Sequence, residues 1–449
     1  MLRRSAISFA LLLALALPAL ARTRPHYGGT LRVETQADPW QIPDGLARRL
    51  VLDTLTTIGP SGAAQPALAV RWESQNADHR WEFVLRPAVH FHSGTPLTAD
   101  AVVASLEQTC SLPGVTPCPW TAVRAAGSSV VFVTDAALPD FPELLAQTEF
   151  AIARQDPGGA VDGTGPFRVT GFANGALTLV ANDDCWQGRP FLDSLQILPH
   201  RNIRDQWLDL SVGRADVVEV PPELLRQAQD QHLTLLTSQP VDLLALTMMP
   251  QGPLAALEVR QSIAAAVDRA ALCNVIFQKQ GEVTASLLPQ AVSGYSFLFP
   301  ADRDLERART LRGGANLPPL TLAVPNTGAT IQLAAERLAL NLHEAGFTTQ
   351  VAPGSHSPAP LTLRCEHLEE ASPRAVLDEL LERFGQNSTV TGTDPASLYQ
   401  SERNALATAT VVPLLWLPRA WAVGERVRDL RLSPDGIPLF AGASLESAP

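Results

Sequence analysis

Residues Arg80 to Gln108 constrain the fold more than any other stretch: R-W-E-F-V-L-R-P-A-V-H-F-H-S-G-T-P-L-T-A-D-A-V-V-A-S-L-E-Q. Trp81, Phe83 and Leu85 alternate with Glu82, Val84 and Arg86, which is the period of a half-buried strand. Ser93-Gly94-Thr95-Pro96 is a turn. Thr98 then reads as an N-cap and Asp100 as a first-turn acid, so a helix follows. The 29 residues thus read as a strand, a tight turn and a helix.

The 449 residues are too many for one core and predict two or three lobes. An apolar fraction of 46% predicts a packed interior. The net charge of -11 argues against nucleic acid as a partner. Lys279 is the only lysine, and the arginines form no cluster that would mark a phosphate groove.

Residues 1–21 read as a signal peptide. Arg3 and Arg4 give a positive start, Ala6 to Leu17 is apolar, and Ala19-Leu20-Ala21 is a small-x-small cleavage site. The apolar run is short for a membrane span. No cysteine follows the cleavage point, so no lipid anchor is expected there, and the exported protein is expected to be periplasmic. In an oxidising compartment Cys110 and Cys118, which flank the turn-rich S-L-P-G-V-T-P, are disulfide candidates. Cys185, Cys273 and Cys365 cannot be paired from sequence, and no CxxC spacing suggests zinc.

Further along, Gly163-Thr164-Gly165-Pro166-Phe167 predicts a tight return into a strand. It lacks the GK[ST] of a phosphate loop. Asn182 and Trp186 in N-D-D-C-W-Q-G-R-P-F-L-D read as turn-holding residues. The spacing predicts helices ending at Gly213, over Leu257 to Arg269, and over Thr330 to Glu344. Strands are expected at Pro319 to Val324, Phe347 to Val351 and Val411 to Trp416. Arg260 and Asp268 are expected to share a structural hydrogen-bond network. His90 and His92 are read as structural rather than as a metal pair.

Taken in order, these blocks resemble the family 5 extracellular solute-binding proteins. The matching runs are Y-G-G-T-L at Tyr27, V-L-D-T-L at Val51, F-H-S-G-T-P-L-T at Phe91, G-T-G-P-F at Gly163, the N-D-D-C-W run, and V-R-Q-S-I-A-A-A-V-D-R at Val259. Ser93 stands where the family usually has an acidic residue. The segment L-T-L-R-C-E-H-L-E-E-A-S-P-R-A-V-L-D-E-L-L-E-R-F-G departs from the family pattern, so no residue there is assigned to a peptide's amino group.

The resemblance implies an α/β fold, a two-lobed periplasmic binding protein type II clamshell with an extra inserted lobe. Lobe I would comprise 22–60, 161–240 and 412–449, lobe II 61–160, and lobe III 241–411. It also implies a receptor that closes over a peptide or peptide-like solute in the cleft and delivers it to an inner-membrane ABC permease. A monomer is expected, with no cofactor and no bound metal. Ligand candidates are Glu34, Thr35, Gln36 and Asp38 at a strand end, Thr247 and Met248, and Trp416, Arg419 and Trp421. Substituting Trp416 or Arg419 is then expected to weaken binding and leave melting nearly intact. An exported hydrolase is disfavoured, because neither G-x-S-x-G nor HExxH occurs. The alternative is a degenerate family member with an altered ligand, or with a sensing or interaction role and no transport.

Overall fold

A computed structural model describes residues 26–446, except 41–44, 60–61, 112–117, 156–158, 295–298, 315–316, 326–327, 356, 370–371, 387–389 and 391. The expected signal peptide lies outside the described residues.

In chain order the principal elements are β1 (Thr30–Glu34), α1 (Leu46–Val51), β2 (Ala69–Gln75), β3 (Arg80–Leu85), α2 (Ala99–Cys110), β4 (Ala122–Ala126), β5 (Ser129–Val133) and α3 (Phe141–Leu144). Then follow β6 (Phe167–Ala173), β7 (Ala176–Ala181), β8 (Ser194–Leu198), α4 (Ile203–Ser211), β9 (Val217–Val220), β10 (Thr234–Met248) and α5 (Leu257–Ala266). The last third holds β11 (Leu320–Val324), α6 (Ala329–Glu344), β12 (Thr349–Pro353), β13 (Leu361–His367), α7 (Pro373–Arg383), α8 (Pro395–Ala407) and β14 (Val411–Val423).

The opening segment folds as its period dictates. In β3 Trp81, Phe83 and Leu85 are buried while the residues between them are half-buried. Thr98 caps α2, its side chain accepting from the Ala101 amide at 3.2 Å. β3 lies inside a four-stranded sheet ordered β2-β3-β5-β4, whose aromatic core gathers Trp81, Phe83, Trp120, Phe132 and Phe141. This is lobe II. Cys110 and Cys118 are joined in a disulfide beside it, with Cα atoms 5.6 Å apart.

The rest of the chain shares one large sheet, ordered β6-β7-β8-β1-β9-β14-β10-β13-β11-β12, with Glu282–Val283 pairing against β14. Separate cores flank it, two in each of the lobes it runs through. Lobe I buries Leu31, Val33, Phe167, Leu195, Ile197 and Val217. Lobe III buries Leu246, Ile263, Leu322, Leu338 and Leu414. Among the described residues, only β10 and β14 run through both. The lobe boundaries therefore fall within strands. Val412, Leu414, Leu415 and Leu417 pack in the lobe III core, and lobe I resumes at Ala420 and Trp421. The sequence reading had placed 412–417 in lobe I.

Other boundaries shift for local reasons. The apolar residues of Leu46 to Thr57 recur at helical spacing, yet α1 stops at Val51 and Thr56–Ile58 is a short strand. The segment that departs from the family pattern is regular: β13 pairs with β10 and β11, then Ser372 caps α7 by accepting from the Ala375 amide at 3.1 Å. Arg260 and Asp268 share no network. Arg260 donates to the carbonyls of Leu254, Ala255 and Thr408, whereas Asp268 caps Ala271.

Candidate functional site

Strand direction locates a cleft. β8, β1 and β9 run parallel and end at Leu198, Glu34 and Val220. β11, β12 and β13 run parallel and end at Val324, Pro353 and His367. Val220 is registered with Ala420 on β14, and His367 with Asp242 on β10. Both sets of carboxyl ends therefore face the middle of the two crossing strands. In open α/β sheets that crevice is where ligands bind.

The crossing strands are weakest there. Their register shifts between Thr237 and Pro240 and again before Asp242, and Pro240 lies opposite Pro418. Proline has no amide donor, so the ladder is interrupted on both strands at one level.

A chain of charges spans this level. Arg419 grips Asp242, with Nε 3.0 Å from both carboxylate oxygens. His367 Nδ1 lies 2.8 Å from Asp242, and its Nε2 lies 3.9 Å from Asp435, which accepts from Arg49 at 2.5 Å. Burial raises the Asp435 carboxyl, but Arg49, His367 and Ser433 more than reverse this and hold it well below the usual carboxylate range. Burial and Arg419 push the His367 imidazole down, and its bonds to Asp242 and Asp435 bring it above its ordinary value. The two lobes thus meet at the cleft floor through a chain of charged and titratable groups.

The candidate ligand residues divide on this geometry. Gln36 and Asp38 are exposed at the end of β1. The Gln36 amide donates to Glu219 at 2.7 Å, which fixes the loop. Glu34 and Thr35 are buried. Glu34 lies 3.4 Å from Arg201, yet burial and the neighbouring Asp209 push its carboxyl up to about 7. Thr247 is half-buried and donates to the Thr362 carbonyl at 3.2 Å. Arg419 is at the cleft floor but engaged with Asp242.

Met248, Trp416 and Trp421 are corrections. Met248 lies in the main lobe III core. Trp416 is 1% exposed among Leu243, Leu287, Leu377 and Leu380. Trp421 belongs to the lobe I core and donates its indole N–H to the Gly436 carbonyl at 3.0 Å. A residue on a central strand has neighbours on both faces, and aromatic content alone does not reveal this. None of the three presents surface to a solute. The Asp242–His367–Asp435–Arg49 chain was missed at the sequence level, because its four members come from four separate parts of the chain.

The signature motifs meet elsewhere, at the junction of lobes I and II. Asp53 accepts from Thr164 Oγ1 at 2.7 Å and from the Trp186 indole at 2.9 Å. His92 Nε2 donates to the Gly165 carbonyl at 2.9 Å, and Asn182 donates to the same oxygen at 3.0 Å. A Cβ on Gly163 would sit 1.9 Å from the Val51 carbonyl, and one on Gly165 would sit 2.6 Å from that of Leu50. These glycines allow α1 to approach rather than supplying a turn. The Arg86 guanidinium stacks 4.5 Å from the Trp186 ring. His90 is exposed and takes no part. Among the described residues no group of three or more His, Cys, Asp or Glu side chains is placed to hold a metal ion. No helix among them is long and apolar enough to cross a membrane.

Residues 63–378 match the bacterial extracellular solute-binding proteins, family 5 middle region. The chain belongs to this family. Its two-lobed fold is the type II clamshell, and a nickel–histidine complex of the family's NikA from Staphylococcus aureus superposes with a TM-score of 0.79 at 16% identity, covering 93% of this chain and 100% of that one. A probable di/tripeptide-binding protein 5 of Pseudomonas aeruginosa (strain UCBPP-PA14) is 26% identical over 404 residues, 75% of each chain. The HTH-type transcriptional regulator SgrR of Pectobacterium atrosepticum is 34% identical over 202 residues, 42% of this chain and 33% of the regulator. The chain spans from 33% to 75% of the length of these curated relatives.

Proposed function

We propose that this protein is an extracytoplasmic receptor that closes over a peptide or peptide-like solute and presents it to an ABC importer. One observation carries the reading: among the described residues, two bodies with facing strand ends are joined by two strands, both interrupted by proline at the cleft floor. Such a joint lets rigid lobes rotate about a few backbone torsions. Water exclusion between the lobes would supply most of the binding free energy, and main-chain groups at the strand ends would pair with the solute's own amides. Gln36 and Asp38 are the proposed contacts from lobe I; Thr247 pairs with Thr362 at the start of β13, at the end of lobe III away from the cleft. No chemistry on the solute is required. Export through the signal peptide to the periplasm and a monomeric state belong to the same reading.

The peptide class is supported by the printed name of the Pseudomonas relative. A thermal-shift screen of defined dipeptides, tripeptides and nickel–histidine tests it. A raised melting temperature with short peptides is expected, since binding to the native state stabilises by RT ln(1 + [L]/Kd). A shift with nickel–histidine alone would replace the solute class.

A second reading, a sensing role without transport, is favoured by the likeness to a transcriptional regulator. It predicts binding without any effect on uptake when the gene is deleted.

A further inference from the structure

Away from the crossing strands, lobe III meets lobe II through buried ionic contacts. Asp140 of lobe II receives Arg374 of α7: Nε lies 2.9 and 3.0 Å from the two carboxylate oxygens, and Nη2 2.8 Å from Oδ1. The two side chains are 10% and 7% exposed. Ser372 also donates its hydroxyl to Asp140. Nearby, Glu369 at the end of β13 accepts from the Thr148 amide at 3.0 Å and from its hydroxyl at 2.5 Å. Thr148 is braced from behind, since Arg48 of α1 donates to its carbonyl at 2.7 Å.

The helix itself shows that the contact completes something. α7 has no acidic residue in its first turn, yet Arg374 sits there. A cation at a helix N-terminus is electrostatically unfavourable. Asp140 supplies the missing negative charge from another lobe. Arg374 also reaches Asp378 at 2.8 Å on its own helix, which would hold the guanidinium if Asp140 withdrew. A cavity of about 270 Å³ adjoins the pair, lined by Pro139, Glu143, Pro373 and Thr393 among others.

We propose that Asp140–Ser372–Arg374 and Thr148–Glu369 form an intramolecular latch that holds lobe III shut against lobe II when no solute is bound. The proposal rests on the receptor reading only in making unlatching the step that admits the solute. A buried pair recovers roughly what it loses in hydration, so the latch sets an equilibrium and does not lock. Removing one partner strands the other charge in the closed form alone. Arg374→Ala should therefore open the molecule further than Asp140→Ala with Arg374→Ala together.

Small-angle scattering of the full purified protein tests this without a solute. The wild type should have the radius of gyration of a compact chain of this length, about 22 Å. Arg374→Ala should expand most and the double variant less, and Thr148→Val with Glu369→Gln should also expand. Circular dichroism verifies that each variant is folded. With an open form of about 1–10%, association of trialanine should accelerate roughly ten- to a hundredfold on unlatching. Folded variants with the wild-type radius, or a wild type already as expanded as the variants, would overturn the latch. Variants that open but bind neither trialanine nor nickel–histidine would uphold the latch and count against the receptor reading. Binding at the wild-type rate with an unchanged radius would do the opposite.

Discussion

Trp416 shows how far one residue's meaning depends on its surroundings. At the end of a strand it reads as a cleft aromatic, but the structure packs it among leucines of lobe III. Trp416→Ala should therefore cost about 3–5 kcal/mol of stability, measured by denaturant unfolding. A melting temperature near wild type would show that the indole is not core. Glu402 makes a second test. It is fully buried on α8, its Oε1 accepts the Leu287 and Leu288 amides, and burial pushes its carboxyl up to about 7. The native state holds this proton more tightly than the unfolded chain, whose value is 4.5. Stability is therefore lost as pH rises from about 4.5 through about 7, and not as it falls. Glu34, Glu149 and Glu379, also pushed up to about 7, add to the same slope. Glu402→Gln should gain on the wild type as pH rises, by on the order of 3 kcal/mol at pH 8. Parallel stability curves from pH 5 to 8 would contradict the assignment.

At the level of elements, the disulfide ties the end of α2 to the loop before β4. Replacing Cys110 and Cys118 with serine should lower the stability of lobe II by about 2–3 kcal/mol, read by hydrogen exchange on β2 to β5. Equal protection with and without the bridge would count against that. Elements of this kind were legible because their signals are local. The strand period of Arg80–Leu85, the Thr98 cap and the glycine turns all lie within a few residues. The strand-to-helix units of lobe III were legible for the same reason. What was not legible depends on distant partners. Asp140 and Arg374 lie 234 residues apart, and Asp242 and His367 lie 125 apart. No periodicity in one sequence links them. The signature motifs show a third case. They identified the family, yet through them His92 and Arg86 join lobe II to Gly165 and Trp186 of lobe I, and the cleft is left to other residues.

For the whole molecule, two bodies, one interrupted joint and facing strand ends are the features on which the proposed receptor role rests. The cleft floor is already paired, through Arg419, Asp242, His367, Asp435 and Arg49. A solute thus meets a polar floor whose charges are satisfied, and its selectivity must come from the walls. Gln36→Ala with Asp38→Ala should weaken solute binding by roughly 1–3 kcal/mol, seen by calorimetry, with melting unchanged because both residues are exposed. Unchanged affinity would remove the β1 end from the site. The most direct test of the account is native mass spectrometry of the protein purified without denaturation, followed by denaturing release of whatever it carries. The account predicts one equivalent of small solute, with masses of short peptides or peptide-like molecules. A bare protein mass, together with no solute taken up from a peptide panel, would contradict it.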